Sequence, residues 1–325
     1  MKILVSGGAG FIGSHVADRY IADGYQVIVI DNFITGKMEN LNPRAHFYQM
    51  DILDGGIEEI FVRERPEVVN HHAAQIDVRK SVQDPLFDAK TNVLGTLNLL
   101  EKSVKYRVRQ FLFASSGGAI YGDQPEGAQA ASEDDSLRPI SPYGVAKAAA
   151  ELYLHYYRVV HGLNFVALRY GNVYGPRQDP FGEAGVVAIF TEKLLSGGQP
   201  LINGDGLQTR DYVYVEDAAE ANVLALNSKA SGPFNIGTGI EKNVNELFGT
   251  LLRIAGKSVP EVHGPPKPGE QRRSVLNCSK AHAHLGWAPK FSFESGLHKT
   301  VEYFEKLHRR ERGEGRPLRT QRAPR

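Results

Sequence analysis

Three glycines at a spacing of three, Gly7, Gly10 and Gly13 in SGGAGFIGS, separate a short apolar run, Lys2–Ser6, from a stretch of helical character. Glycine at each corner of a tight strand-to-helix turn lets bare backbone approach a ligand. The start of the helix adds unpaired N–H groups and the positive end of the dipole, a combination suited to pyrophosphate. Phe11 and Ile12 belong to the same turn and are candidates with the glycines. Three glycines alone are a weak signal, but the second apolar run, Gln26–Ile30, leads straight into Asp31, eighteen residues past Gly13. A carboxylate there accepts both ribose hydroxyls of NAD and repels the 2′-phosphate of NADP. Asn32 follows it, and Lys37 is the nearest cation. A structural turn in a flavodoxin-like fold is outweighed by this context.

Further short runs repeat the pattern. His46–Met50, Glu67–Asn70, Gln110–Ser115 and Asn164–Tyr170 read as strands, with helices expected over 11–23, 54–64, 85–105 and 143–161. Continuous apolar strands alternating with helices imply an α/β, Rossmann-type doubly wound parallel sheet. After Gly175 Gly, Pro and polar residues become frequent, which reads as a smaller mixed α/β, loop-rich substrate-binding part. The expected division is 1–175 for NAD and the catalytic helix, and 176–308 mainly for substrate, with strands returning to the sheet allowed. Residues 309–325 hold seven Arg and two Glu without apolar periodicity, and read as a disordered basic tail.

The bulk numbers narrow the function classes. With 38 Lys+Arg against 37 Asp+Glu, no global field recruits nucleic acid or a membrane surface. No run of eighteen apolar residues occurs. The single cysteine, Cys278, excludes an intrachain disulfide and fits a cytoplasmic protein. His71 and His72 adjoin each other, yet no further ligand stands at usable spacing, so no metal is expected.

Asp51 and Ile52, after the third strand, are placed to contact adenine, and Ala73 and Ala74, after the fourth, are small enough to let a cofactor pass. Tyr143 and Lys147 lie four apart at the start of a helix and so project from one face. A phenol titrates near ~10. A neighbouring ammonium and the positive nicotinamide both favour the phenolate, making Tyr143 a usable base. Ser115 and Ser116, ending the fifth strand, can bond a sugar hydroxyl as its proton leaves.

The segments SGGAGFIGS, HHAAQIDVRKSVQDPLFDAKTNVLGTLNLLE, FASSGGAIYGD, SPYGVAK, LRYGNVYGPRQDP, TRDYVYVED and SKAHAHLGW resemble, in order, the extended short-chain dehydrogenases/reductases of the NAD-dependent epimerase/dehydratase family, and most of all their 4-epimerase branch. The resemblance runs from Lys2 to about Leu307. It implies Tyr143 as the base, Lys147 as its partner and Ser116 as the third member, with Ser115 a second candidate. It places Tyr170 near the nicotinamide, Asn92 near the catalytic helix, Asn172 on the diphosphate or sugar, and Arg210 on the diphosphate. An Arg-x-x-Asp pair of the family falls on Lys267 and Glu270, where Lys lacks the guanidinium fork. Ser274 falls where the family limits the sugar pocket, and its size implies room for an N-acetyl group.

The implied activity is inversion at C4 of a UDP-sugar through a 4-keto intermediate, and the implied assembly is a homodimer through two helices per subunit. Relatives that dehydrate or decarboxylate carry acids beside the Ser/Thr. This chain has Ser116-Gly117-Gly118-Ala119 there, without a carboxylate. A uronic-acid 4-epimerase passes the same test. A non-catalytic NAD(H) sensor on this fold typically lacks the Tyr or the Lys.

Overall fold

The computed structural model describes residues 1–182, 185–267 and 270–311. The six expected runs form β1 (Lys2–Ser6), β2 (Gln26–Asp31), β3 (His46–Gln49), β4 (Val68–His71), β5 (Gln110–Ser116) and β6 (Asn164–Tyr170). In the later half, β7 (Asn172–Tyr174), β8 (Ile202–Asn203) and β9 (Thr209–Tyr214) precede β10 (Gly232–Ile236), which returns to the main sheet. Its order is β10-β6-β5-β4-β1-β2-β3, all parallel. The chain winds outward in both directions from β1 and β4. A crevice beyond the carboxyl ends of these strands is where such sheets bind ligands. Two short strands, β11 (Glu241–Asn243) and β12 (His263–Gly264), pair with β9 and β8.

Helices cover both faces of the sheet, which is why its central strands, such as β1, are largely apolar. On one face α1 (Phe11–Ala22) contributes Val16 and Tyr20 to a core shared with later segments. On the other, α2 (Ile57–Glu64) buries Ile57 and Phe61. Two short helices, α3 (Val78–Gln83) and α4 (Pro85–Ala89), precede α5 (Gly95–Lys105). The expected helix over 85–105 is one body with a π turn at Lys90–Leu94. The turn coincides with Asn92, whose side chain bonds both the N–H and the C=O of Gln75, at 2.9 Å each. Such an off-register turn re-aims a side chain inside a helix.

A single turn, α6 (Gly117–Ile120), leads towards α7 (Pro142–His161). Ser141 caps α7 by accepting from Gly144 N–H at 3.2 Å, and Pro142 opens its first turn, where a missing N–H costs nothing. Gly144 is required there, since a Cβ would stand 2.7 Å from the Ala119 carbonyl oxygen.

The stretch after Gly175 is more helical than its composition implied. It carries α8 (Val186–Leu195), α9 (Val215–Asn227), α10 (Val244–Ala255), α11 (Ser279–Leu285) and α12 (Phe293–Glu311). The alanine-rich α9 packs against α1 and offers little apolar contrast to read from sequence. A third core joins Phe190, Phe248, Leu297 and Val301 with Phe11. The closing helix runs through Glu311, three residues past the boundary expected for the basic tail, and the rest of that tail lies outside the described residues. Among the described residues no helix is long and apolar enough to cross a membrane.

Candidate active site

The glycine turn owes its residue types to packing. Gly7 sits at φ +70°, and a Cβ on it would fall 2.5 Å from the Ala73 nitrogen. A Cβ on Gly13 would fall 2.2 Å from the Gly7 carbonyl oxygen, and one on Gly10 3.2 Å from it. Gly10 also begins α1 without any side-chain cap. The first-turn amides therefore have no side chain competing for them. Phe11 is buried in the third core and Ile12 packs beside it.

Asp31 is buried at the end of β2, its two oxygens accepting from Ala9 N–H at 3.0 Å and Phe33 N–H at 2.9 Å. Burial raises its pKa and the two amides oppose the shift. Gly36 folds over it so closely that a Cβ would stand 2.6 Å from Oδ1. Lys37 turns elsewhere, its amine 3.8 Å from Asp179 Oδ1. No cation pairs with Asp31 among the described residues, so the turn and acid fit NAD and disfavour an added 2′-phosphate. Next along the edge, Asn32 donates to Asp51 at 2.7 Å and Leu53 N–H donates to the same carboxylate at 2.8 Å. Ile52 packs under Gly95. Ala73 and Ala74 lie half-buried in the loop after β4. His71 is held between Ser6 at 2.7 Å and Thr96 at 2.9 Å. No metal-holding group of His, Cys, Asp or Glu occurs among the described residues.

The start of α7 meets the end of β5. Lys147 is 4% exposed and its amine donates to the Ala114 carbonyl at 2.8 Å. It lies 4.7 Å from the centre of the Phe113 ring and 5.8 Å from that of Tyr143. Burial pulls its pKa down to about 8, with Asp88 and Glu151 opposing. The two serines part company because successive strand side chains point to opposite faces. Ser115 turns into the helix layer and donates to Glu151 Oε1 at 2.5 Å. Glu151 is gripped in turn by Arg169, at 2.6 Å through Nη2. Ser116 turns the other way. The Cβ direction of Gly118 points to within 4.0 Å of Ser116 Oγ and 3.5 Å of Asn172 Oδ1, so those two side chains border one space. Tyr170, paired in register with Ser116, accepts from Asn222 at 2.7 Å and stacks on His72 at 6.5 Å.

Beside β7, which carries Asn172, runs β9. Arg210 is half-buried and donates to the Thr209 carbonyl at 2.8 Å, and no carboxylate lies within ion-pair distance among the described residues. Burial lowers its pKa. Its neighbours are spoken for: Arg272 pairs with Asp205 and Arg273 with Glu241. An unpaired, partly desolvated guanidinium is poised for an anion such as a diphosphate. Ser274 is buried, its N–H donating to the Thr209 carbonyl at 3.2 Å. Glu270 is exposed and accepts from Gln208 at 3.4 Å, while Lys267 is exposed and joined to Glu270 through a backbone hydrogen bond of 3.2 Å.

The model of the NAD dependent epimerase/dehydratase family matches residues 3–237. The chain belongs to this family. A putative UDP-glucose 4-epimerase of Methanocaldococcus jannaschii is 46% identical over 307 residues, covering 94% of this chain and 99% of that one. Among solved structures, the UDP-glucose 4-epimerase of Thermotoga maritima with UDP-glucose is 53% identical with a TM-score of 0.93, covering 95% of this chain and all of that one. The Thermus thermophilus UDP-glucose 4-epimerase in complex with NAD is 49% identical with a TM-score of 0.90, covering 94% and 99%.

Within this epimerase/dehydratase fold, sequence reasoning passed over the buried groups that support the expected residues. Glu151 and Arg169 brace Ser115, Asn222 holds Tyr170, and Gln75 with Asp88 holds Asn92. Glu151 did carry a legible signal, since an acid one turn past Lys147 shares its helix face.

Proposed function

We propose that this chain inverts the C4 configuration of a UDP-hexose, interconverting UDP-glucose and UDP-galactose, with Tyr143 moving the proton. The carrying observation is the pairing of near full-length 53% identity to a UDP-glucose 4-epimerase with a strand end, Ser116-Gly117-Gly118-Ala119, that offers no second acid. NAD⁺, when bound, supplies the acceptor that takes a hydride from C4 and returns it. Tyr143 as phenolate takes the C4 hydroxyl proton and gives it back to the same oxygen once the sugar has turned over, so that the hydride returns to the opposite face of C4, and Lys147 stabilises the phenolate. Ser116 bonds the same hydroxyl, while Arg210, with help from Asn172, Lys267 and Glu270, holds the nucleotide end. The sugar must turn over while its diphosphate stays fixed, and a charge anchor remote from C4 suits that task.

The small Ser274 side chain supports a second substrate pair, UDP-GlcNAc and UDP-GalNAc. Purified protein without added cofactor, incubated separately with UDP-galactose, UDP-GalNAc and UDP-galacturonate, is expected to yield the C4 epimer of the first without net NADH. A keto, deoxy or decarboxylated product would overturn the reading, and cofactor binding without turnover would return it to a sensor. The single cysteine supports a cytoplasmic setting.

A homodimer is supported by the outer face of α7. There Val145, Leu152, Tyr156 and Val159 form an exposed apolar stripe, beside Leu86 of α4 and Leu94. A stripe of this kind left to water on a monomer is unusual. Sedimentation of Leu152→Glu is expected to show monomer where the wild type shows dimer.

A further inference from the structure

One buried group near Lys147 has no role in the chemistry so far. Asp88, in α4, is 1% exposed. Its Oδ1 accepts from the side-chain amides of Gln75 and Asn92, both at 2.9 Å. Its Oδ2 is buried with no hydrogen-bond partner among the described residues. Burial disfavours an anion placed this way, and the carboxyl pKa is raised accordingly. Lys147 has the complementary problem. Its amine is buried against a neutral carbonyl, with no carboxylate at ion-pair distance among the described residues. Asp88 and Ala146, the residue before Lys147, line one hollow between α4 and the first turns of α7.

We infer that Asp88 is a positioning residue, the buried counter-charge that keeps Lys147 protonated beside Tyr143, acting across a gap rather than through an ion pair. The inference rests on the reading of Tyr143 and Lys147 as the proton-transfer pair. Other groups surrounding the amine are already committed. Tyr143 and Glu151 share its helix, and Glu151 is neutralised by Arg169 of β6 and bonded by Ser115 of β5. His71 and His72, at the end of β4, are held neutral by burial, His72 with a pKa of about 3. Lys80 of α3 is exposed and sits over the Phe87 ring. Asp88 remains as the uncommitted anion, and it heads the influences that oppose the burial of Lys147. Its sign is definite: a nearby negative charge favours the ammonium, so removing it lets Lys147 lose its proton at lower pH.

The test is the pH profile of kcat for UDP-galactose epimerisation by the full chain, wild type against Asp88→Asn. The amide keeps an oxygen for Gln75 and Asn92 and removes the charge. The alkaline fall of kcat is expected to move to lower pH by about one unit, leaving kcat about tenfold below wild type above the inflection. KM is expected to be unchanged, and Asp88→Glu to restore the wild-type inflection. Profiles that superpose after scaling would overturn the inference, because a merely structural role lowers kcat at every pH alike. Should Asp88→Asn fail to fold, carbon-13 NMR titration of the wild-type holoprotein decides. The Asp88 carboxyl signal must show a second inflection at the pH where Lys147 titrates, and its absence overturns the pairing. A wild type that epimerises no UDP-sugar would overturn the function instead, while the NMR titration still reads the pairing.

Discussion

The two sides of the candidate site are built from different materials. On the cofactor side, residue types follow from backbone sterics: a Cβ on Gly13 would collide with the Gly7 carbonyl, and one on Gly7 with the Ala73 nitrogen. On the nucleotide-sugar side, placement depends on segments brought together only by the fold. Arg210 stands on β9, and Ser274 is tied to Thr209 by one backbone hydrogen bond across a long loop. Backbone constraints leave a signature that is local in sequence. Side-chain placement across loops does not, so the first region is legible as a motif and the second only as isolated residues.

The largest effect is expected where the two regions meet. Tyr143→Phe removes the proton carrier and nothing of the glycine turn. Turnover is expected to fall by about 10²–10⁴-fold, the usual worth of general acid–base catalysis. Bound NAD, read by absorbance of the released cofactor, should be retained. Full activity in this variant would remove Tyr143 as the base. Arg210→Ala probes the loop side alone. Losing a partly buried charge contact costs about 2–5 kcal/mol, so KM for the UDP-sugar is expected to rise by roughly two orders of magnitude with NAD content unchanged. A fall in NAD content instead would mean that the two regions are not separable in this way.

The contrast also explains what the sequence withheld. Six strands were legible because a sheet covered on both faces demands unbroken apolar runs, and β1 and β6 occupy the residues expected of them. Strands returning to the sheet were allowed for, but that β10 is the one was not legible, since five residues of GPFNI announce neither partner nor direction. The π turn at Asn92 escaped for a related reason: the Asn92 side chain is held by Gln75, seventeen residues away, as well as by Asp88 of the same helix. The choice between Ser115 and Ser116 was open in sequence because adjacent strand residues differ only in the face they occupy. That difference emerges once Glu151 and Arg169 are in place.

The serine pair therefore offers a sharper cut. Ser115→Ala breaks a buried hydrogen bond to a carboxylate and is expected to lower stability by about 1–3 kcal/mol, measured by thermal unfolding, with kcat nearly intact. Ser116→Ala should do the reverse, lowering kcat by roughly tenfold or more while the unfolding midpoint holds. If the effects are exchanged, the assignment of the hydroxyl passes to Ser115.

The smallest effect is expected at Lys267, where the resemblance implies an arginine. The side chain is exposed, and the hydrogen bond between Lys267 and Glu270 runs through backbone. A flexible ammonium in solvent contributes little to holding an anion, being screened by salt and costly to order. Lys267→Ala is accordingly expected to change KM by no more than about twofold, against the roughly hundredfold of Arg210→Ala. The informative variant is Lys267→Arg. If restoring the planar fork lowers KM well below wild type, the loop side is tuned by that position, and the departure is a setting of affinity. If Lys267→Arg and Lys267→Ala are alike, Arg210 holds the diphosphate largely alone, and the loop bearing Lys267 has been released from that task.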